Sequence, residues 1–217
     1  MTLLIIGSSG HMGYQLTTGL TCAVRPFDLP AGDARDREAL RSAASGIRQI
    51  LHLGWDMQEE NYRNNRSDPA NIEMAANVLQ VALDLHLDRV VLASSVHAGL
   101  QRPRAPLPIR IAPAVHPTTP YGRSKLHIEG LGRAAAAKGL GVVAIRFGGV
   151  QPARPRDPQE RGRWLSHPDL VNVVQRALDA PLGPDNWEVL HAVSRGFWRR
   201  HSVRNGLGWS PLRRRAL

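Results

Sequence analysis

The chain of 217 residues contains one cysteine, Cys22, so it can form no internal disulfide and offers no cysteine-based metal site. That scarcity fits a reducing compartment, and a cytoplasmic protein is expected. Aromatic residues are few, and long hydrophobic runs are missing. The opening "MTLLIIGSSG" has no basic segment ahead of its short apolar run, so neither a secretory signal nor a membrane span is expected. The nine histidines form no convincing ligand pair with one another or with neighbouring carboxylates, and no metal is expected. Lysine is scarcest among the charged residues, with only Lys125 and Lys138 beside 26 arginines.

What is present in excess is positive charge, at a formal +10. Its distribution limits what it means. Residues 1–145 carry 15 basic and 12 acidic side chains, whereas residues 146–217 carry 13 and 6. The surplus lies around "FWRRH" and "LRRRAL" with no nucleic-acid recognition motif beside it, so a solvated arginine face is preferred to a nucleic-acid site.

Short apolar runs alternate with longer helix-compatible stretches. "TLLIIG", "CAVRPFD", "QILHLG", "DRVVLASS", "GVVAIRFG" and "WEVLHAV" read as strands, being brief, rich in Val, Ile and Leu, and bounded by Gly, Pro or Asp. Runs that are apolar on both faces belong inside a parallel sheet covered by helices. Ile72, Ala75, Ala76, Leu79, Leu83 and Leu87 recur at helical spacing, and "YGRSKLHIEGLGRAAAAKG" reads as a second helix stopped by Gly139. The alternation predicts an α/β chain of the Rossmann type, a doubly wound parallel sheet. Residues 1–150 would form the main α/β body, and 151–217 a small C-terminal portion packed on it in one compact unit. The proline-dense stretch 99–120 predicts an extended surface loop.

"IIGSSGHMG" places Gly7, Gly10 and Gly13 between a strand and a helix. Such a turn lets a pyrophosphate approach backbone N–H groups at a helix N-terminus, although glycines there also serve packing. Asp28 ends the second predicted strand 21 residues after Gly7, where a carboxylate accepts from ribose hydroxyls and repels a 2′-phosphate. NAD is therefore expected over NADP, with Arg25 nearby as the countervailing charge. Tyr121 and Lys125 are four apart on one helix face. An ammonium beside a phenol lowers the phenol's pKa and makes it usable as a general base. Lysine at this one site, in a chain that otherwise uses arginine, fits a compact charge that also bonds a ribose hydroxyl.

Together these residues resemble the short-chain dehydrogenase/reductase superfamily in its extended, epimerase/dehydratase-type branch, and within it most closely the uronate dehydrogenases. The likeness rests on the glycine turn, Asp28, "ILHLG", "LASSVHAG", "YGRSK", "WLSHPDLV" and "GLGWSP". It implies that Tyr121 takes the proton from a substrate hydroxyl, that Lys125 tunes Tyr121 and holds the nicotinamide ribose, and that Ser95 bonds the reacting oxygen. By the same likeness, Gly7, Ser9, Gly10, His11, Met12, Gly13, Asp28, Leu53 and Gly54 join Tyr121 and Lys125 in holding NAD. Ser95 and His97 would meet the sugar, with Arg156 and Arg161 favoured for its acidic group and Arg163 close by. Val96 stands where the family has asparagine, and the 151–163 segment has no clean match to the family's substrate-binding arginine.

The implied activity is hydride transfer from a sugar-type hydroxyl, of a hexuronic acid or related aldose, to NAD. A nucleotide-sugar epimerase or dehydratase and a non-catalytic dinucleotide-sensing or nucleic-acid-binding protein are the alternatives. The expected partner is a small sugar or sugar acid rather than a membrane, and a homo-oligomer is compatible with all of it. Elsewhere, His52 reads as a packed histidine, Ser166 with Asp169 as a helix-capping pair, and Asn71 as a helix cap or a support for the catalytic groups. Trp164, Trp187, Trp198 and Trp209 read as packing residues of the C-terminal portion.

Overall fold

The computed structural model describes residues 2–56, 60–61, 64, 66–67, 69–99, 108–111, 116–195 and 201–212. Six parallel strands run through it: β1 (Thr2–Ile6), β2 (Ala23–Phe27), β3 (Gln49–His52), β4 (Arg89–Ser95), β5 (Gly141–Phe147) and, later in the chain, β8 (Trp187–Ala192). Their spatial order is β2-β1-β3-β4-β5-β8, every neighbour parallel. A separate two-stranded pair, β6 (Gly149–Val150) with β7 (Trp164–Leu165), lies beyond β5.

Each interior strand is apolar on both faces because each face meets helices. Leu4, Ile6, Ile50, Val90, Leu92 and Val142 point into one core, and Leu3, Ile5, Leu51, Val91, Val143 and Ile145 into the other. The first core is closed by α2 (Arg37–Ala43), α3 (Pro69–Asp84) and α4 (Pro120–Ala136), the second by α1 (His11–Gly19) and α6 (His167–Asp179). A four-residue helix, α5 (Pro158–Arg161), sits between β6 and β7. The portion after residue 150 thus supplies both α6 and the edge strand β8 to the main sheet.

Two expectations are corrected in detail. β2 is an edge strand with mostly exposed residues, not a buried one, in keeping with Pro26, which cannot donate to a second neighbour. On α3 the buried face is Met74, Ala75, Val78, Leu79, Val81 and Ala82, while Ile72, Ala76 and Leu83 lie half-buried at its margin. The helix ends where His86 takes φ 52° and Leu87 N–H reaches back to the Ala82 carbonyl.

Most of the proline-dense 99–120 stretch and the arginines at 199–200 and 213–215 lie outside the described residues, as does Trp198. Of the loop, Ile109 bridges in parallel to His201, and its carbonyl accepts from Ser202 N–H at 2.8 Å. Trp164 and Trp209 are buried as expected of packing residues, and Trp187 packs half-buried on the first core. Ser166 caps α6 as anticipated, but Asp169 does more than close the cap: it also accepts from Ser194 Oγ and from Leu212 N–H at 2.7 Å, pinning the chain's later segments to the helix start. Among the described residues no helix is long and apolar enough to cross a membrane, and no cluster of three His, Cys, Asp or Glu is placed to hold a metal ion.

Candidate active site

The chain crosses from β1 to β2 on one side and then from β2 back past β1 to β3 on the other, so the winding reverses and a crevice opens at the carboxyl ends of β1 and β3. Gly7 lines it with φ +82°, and a Cβ there would stand 2.6 Å from Gly54 N at the end of β3. The turn must therefore lack a side chain to sit this close. The N-terminus of α1 follows at Gly10, with no side chain among the described residues capping its N–H groups. Asp28 at the end of β2 accepts from Ser9 N–H at 2.8 Å and from Leu29 N–H at 2.9 Å. It faces a pocket of about 180 Å³ shared with Gly7, Gly54 and Trp55. Arg25 is turned away, its guanidinium donating to the Ala43 and Ser45 carbonyls past the end of α2.

The catalytic candidates come from β4 and α4. Thr119 caps α4, its hydroxyl accepting from Gly122 N–H at 3.0 Å, and Pro120 opens the helix. Gly122 lets the helix press on the turn after β4, because a Cβ there would lie 2.3 Å from the His97 carbonyl. This close packing brings Tyr121 to Ser95, and the two hydroxyls share a hydrogen bond. Ser95 Oγ also accepts from His97 N–H at 3.2 Å. One turn along α4, Lys125 is buried and donates to the Ala93 carbonyl at 2.8 Å.

The electrostatics differ from the expectation of an acidified phenol. Burial raises the Tyr121 pKa above its ordinary 10, and the Ser95 hydrogen bond only partly opposes this. Lys125 lies 5.7 Å from the Tyr121 ring centroid but 3.7 Å from that of Trp55. Its own pKa is pushed down to about 7 by burial, with Glu129 one turn away pulling the other way. Glu129 is itself held, accepting from Ser94 Oγ at 2.5 Å and from Arg146 at 2.8 and 2.7 Å. His52 is buried nearby, as expected of a packed histidine, and is pushed down to about 3 by burial and by the Lys125 charge.

Two cavities meet at Ser95 and Tyr121. The larger, of about 650 Å³, runs from Gly7, Gly10, His11, Met12, Gly13 and Leu53 to Lys125. The smaller, of about 310 Å³, holds His97, Gln151, Glu160 and Arg163. Arg163, rather than the favoured Arg156 and Arg161, reaches this pocket: Arg161 Nε donates to the Pro155 carbonyl at 2.8 Å, and Arg156 is exposed.

Comparison with known proteins decides the lineage. The sequence signature described as the NAD dependent epimerase/dehydratase family matches residues 3–167. The chain belongs to the NAD dependent epimerase/dehydratase family. It is 30% identical over 184 residues to a uronate dehydrogenase of Agrobacterium fabrum, spanning 82% of this chain and 66% of that protein. It is 26% identical over 211 residues to an NAD-dependent glucose-6-phosphate dehydrogenase of Haloferax volcanii, spanning 87% and 77%. Among solved structures, glucuronic acid dehydrogenase from Chromohalobacter salexigens superposes with a TM-score of 0.81 at 26% identity, over 98% of this chain and 84% of that one.

The residues of this epimerase/dehydratase family member fit NAD. Gly7 and Gly13 line a cradle that a Cβ would fill, since one on Gly13 would stand 2.3 Å from the Gly7 carbonyl. The uncapped start of α1 suits a pyrophosphate, and the Asp28 carboxylate suits a ribose. NAD is its cofactor, and the protein is an NAD-dependent oxidoreductase.

Trp55 and Glu129 were not among the expected site residues. Trp55 follows "HLG" directly, and a large aromatic at the mouth of a dinucleotide crevice was the available signal; Glu129 lies four residues beyond Lys125 on the same helix face. Asn71 is not a cap either. It lies inside α3, where its side chain accepts from Asp56 N–H at 2.7 Å and donates to the Asp56 carbonyl at 2.8 Å, fixing the backbone just after Trp55.

Proposed function

We propose that the protein oxidises the anomeric hydroxyl of a hexuronic acid to the aldonolactone, with NAD as the oxidant. The observation that carries this reading is the pairing of His97 and Arg163 in the pocket that also holds Ser95 and Tyr121. A sugar ring with its hydroxyl at Tyr121 would direct a carboxylate to that end, where Arg163 is a permanent cation with a fork of donors. His97 is held below its ordinary pKa by burial and by the Arg163 charge, so at neutral pH it offers one N–H donor and leaves the charge to Arg163.

Tyr121 Oη, in the phenolate form that burial makes the minor species at neutral pH, takes the hydroxyl proton while the C–H electron pair leaves the same carbon as hydride. NAD supplies the hydride acceptor when bound. Ser95 Oγ lies within bonding reach of Tyr121 and steadies the reacting oxygen beside it. Lys125 places a positive charge next to the site and has donors for ribose hydroxyls. The buried Glu129–Arg146 pair holds Ser94, the neighbour of Ser95, in place.

The size of the pocket supports a monosaccharide over a nucleotide sugar, because about 310 Å³ is at the small end of ligand sites. The test follows reduced-nicotinamide absorbance with glucuronate, galacturonate, neutral aldoses, glucose 6-phosphate and a nucleotide sugar. Turnover of uronates well above the rest supports the reading. Preference for a neutral aldose, a sugar phosphate or a nucleotide sugar would overturn the carboxylate assignment.

A further inference from the structure

Trp55 lines both the pocket under Asp28 and the larger cavity, at the point where they join. Its ring face lies 3.7 Å from Lys125 Nζ, and it meets the Tyr121 ring edge-on with centroids 5.1 Å apart. The backbone beside it is fixed by Asn71, yet the indole Nε1 is buried without a hydrogen-bond partner among the described residues. The side chain is held by these ring contacts and by packing on the first core, and among the described residues it can rotate without breaking a hydrogen bond.

An ammonium has three N–H donors. One of those on Lys125 goes to the Ala93 carbonyl. Gripping both hydroxyls of a ribose takes the other two, and the indole face covers that side of the ammonium. The lysine can serve Trp55 or the diol, but not both.

We propose that Trp55 competes with the coenzyme for Lys125: its indole holds the ammonium in the cofactor-free chain and moves off when the nicotinamide ribose binds. The inference rests on NAD being the coenzyme. It makes Trp55 a determinant of coenzyme affinity, since the ring contact must be given up on binding. A cation over an indole face is worth enough to weaken binding by about 2- to 30-fold.

With only two lysines in the chain, isotopic labelling of lysine gives two resolvable side-chain sets in a nuclear magnetic resonance spectrum. The Lys125 ε-methylene signal should lie upfield in the free wild-type protein, displaced by the indole ring current, and should move downfield on adding NAD. ADP, which lacks the second ribose, should leave it in place. In Trp55→Leu the signal should start downfield, and Trp55→Phe should fall between. By calorimetry the affinity for NAD relative to ADP should be about 2- to 30-fold higher in Trp55→Leu than in the wild type. A Lys125 signal that stays put when NAD binds would overturn the proposal, as would a ratio of NAD to ADP affinity in Trp55→Leu no higher than in the wild type. Failure of the wild type to bind NAD at all is a different result, and would remove the coenzyme reading together with this inference.

Discussion

His97 and Arg163 line one pocket, the first from the turn after β4 and the second from the residue before β7, and the guanidinium adds to burial in holding the imidazole neutral. If Arg163 anchors the substrate carboxylate, Arg163→Ala should raise KM for a uronate about ten- to a hundredfold, the loss of a charge-assisted hydrogen bond. A neutral aldose should lose far less. Arg156→Ala should be close to wild type with both, because that side chain is exposed and outside the pocket. Steady-state kinetics on the two variants separates these outcomes.

Lys125 predicts a pH-dependent stability difference. Its pKa falls from an ordinary 10.5 to about 7 in the folded chain, so between those values the unfolded chain binds more protons and stability rises with pH. The stabilising effect of deprotonation is full above 10.5 and is lost as pH falls through about 7. Lys125→Met, which keeps the bulk and removes the charge, should be inactive. Its Tm should exceed that of the wild type most clearly below pH 7, with the gap narrowing towards alkaline pH. Thermal denaturation across that range checks the sign.

Glu129 and Arg146 form a buried ion pair, their side chains 7% and 3% exposed. Glu129→Ala should cost about 3–5 kcal/mol of stability, because it leaves the guanidinium buried without its partner. Arg48 and Asp88 approach to 2.5 Å, but their side chains are 67% and 42% exposed. Arg48→Ala should cost no more than about 1 kcal/mol. Chemical denaturation of the two variants measures the contrast.

Asp28 should set the choice of coenzyme. Asp28→Asn removes the charge that repels a 2′-phosphate, and the ratio of NADP to NAD affinity should rise about tenfold, seen in paired binding titrations. Arg25 is no substitute source of NADP preference, being tied to the Ala43 and Ser45 carbonyls.

The sheet was legible in the sequence because β1, β3, β4 and β5 are apolar on both faces, a pattern that has few other uses. The glycine turn, Asp28, Ser95 and Tyr121 could be placed because each sits beside an element boundary that local sequence marks, and Lys125 because it follows Tyr121 by one helical turn. Contacts between distant segments were not. That Lys125 would meet the face of Trp55, that Asn71 would clamp Asp56, and that Arg163 would enter the pocket in place of Arg156 depend on how separate loops pack over one crevice. The direction of the Tyr121 shift was misjudged for a related reason. Helical spacing shows which groups share a face but not how deeply they are buried, and here burial outweighs the hydrogen bond from Ser95.

Tyr121→Phe removes one oxygen atom from the reacting pair and leaves the glycine turn, Asp28 and Lys125 in place. Reduced-nicotinamide formation from glucuronate, measured beside NAD affinity for this variant and the wild type, tests the account most directly. Loss of turnover by at least about a hundredfold with near-normal NAD binding is the expected result. Turnover that survives the change would contradict the role given to the phenol.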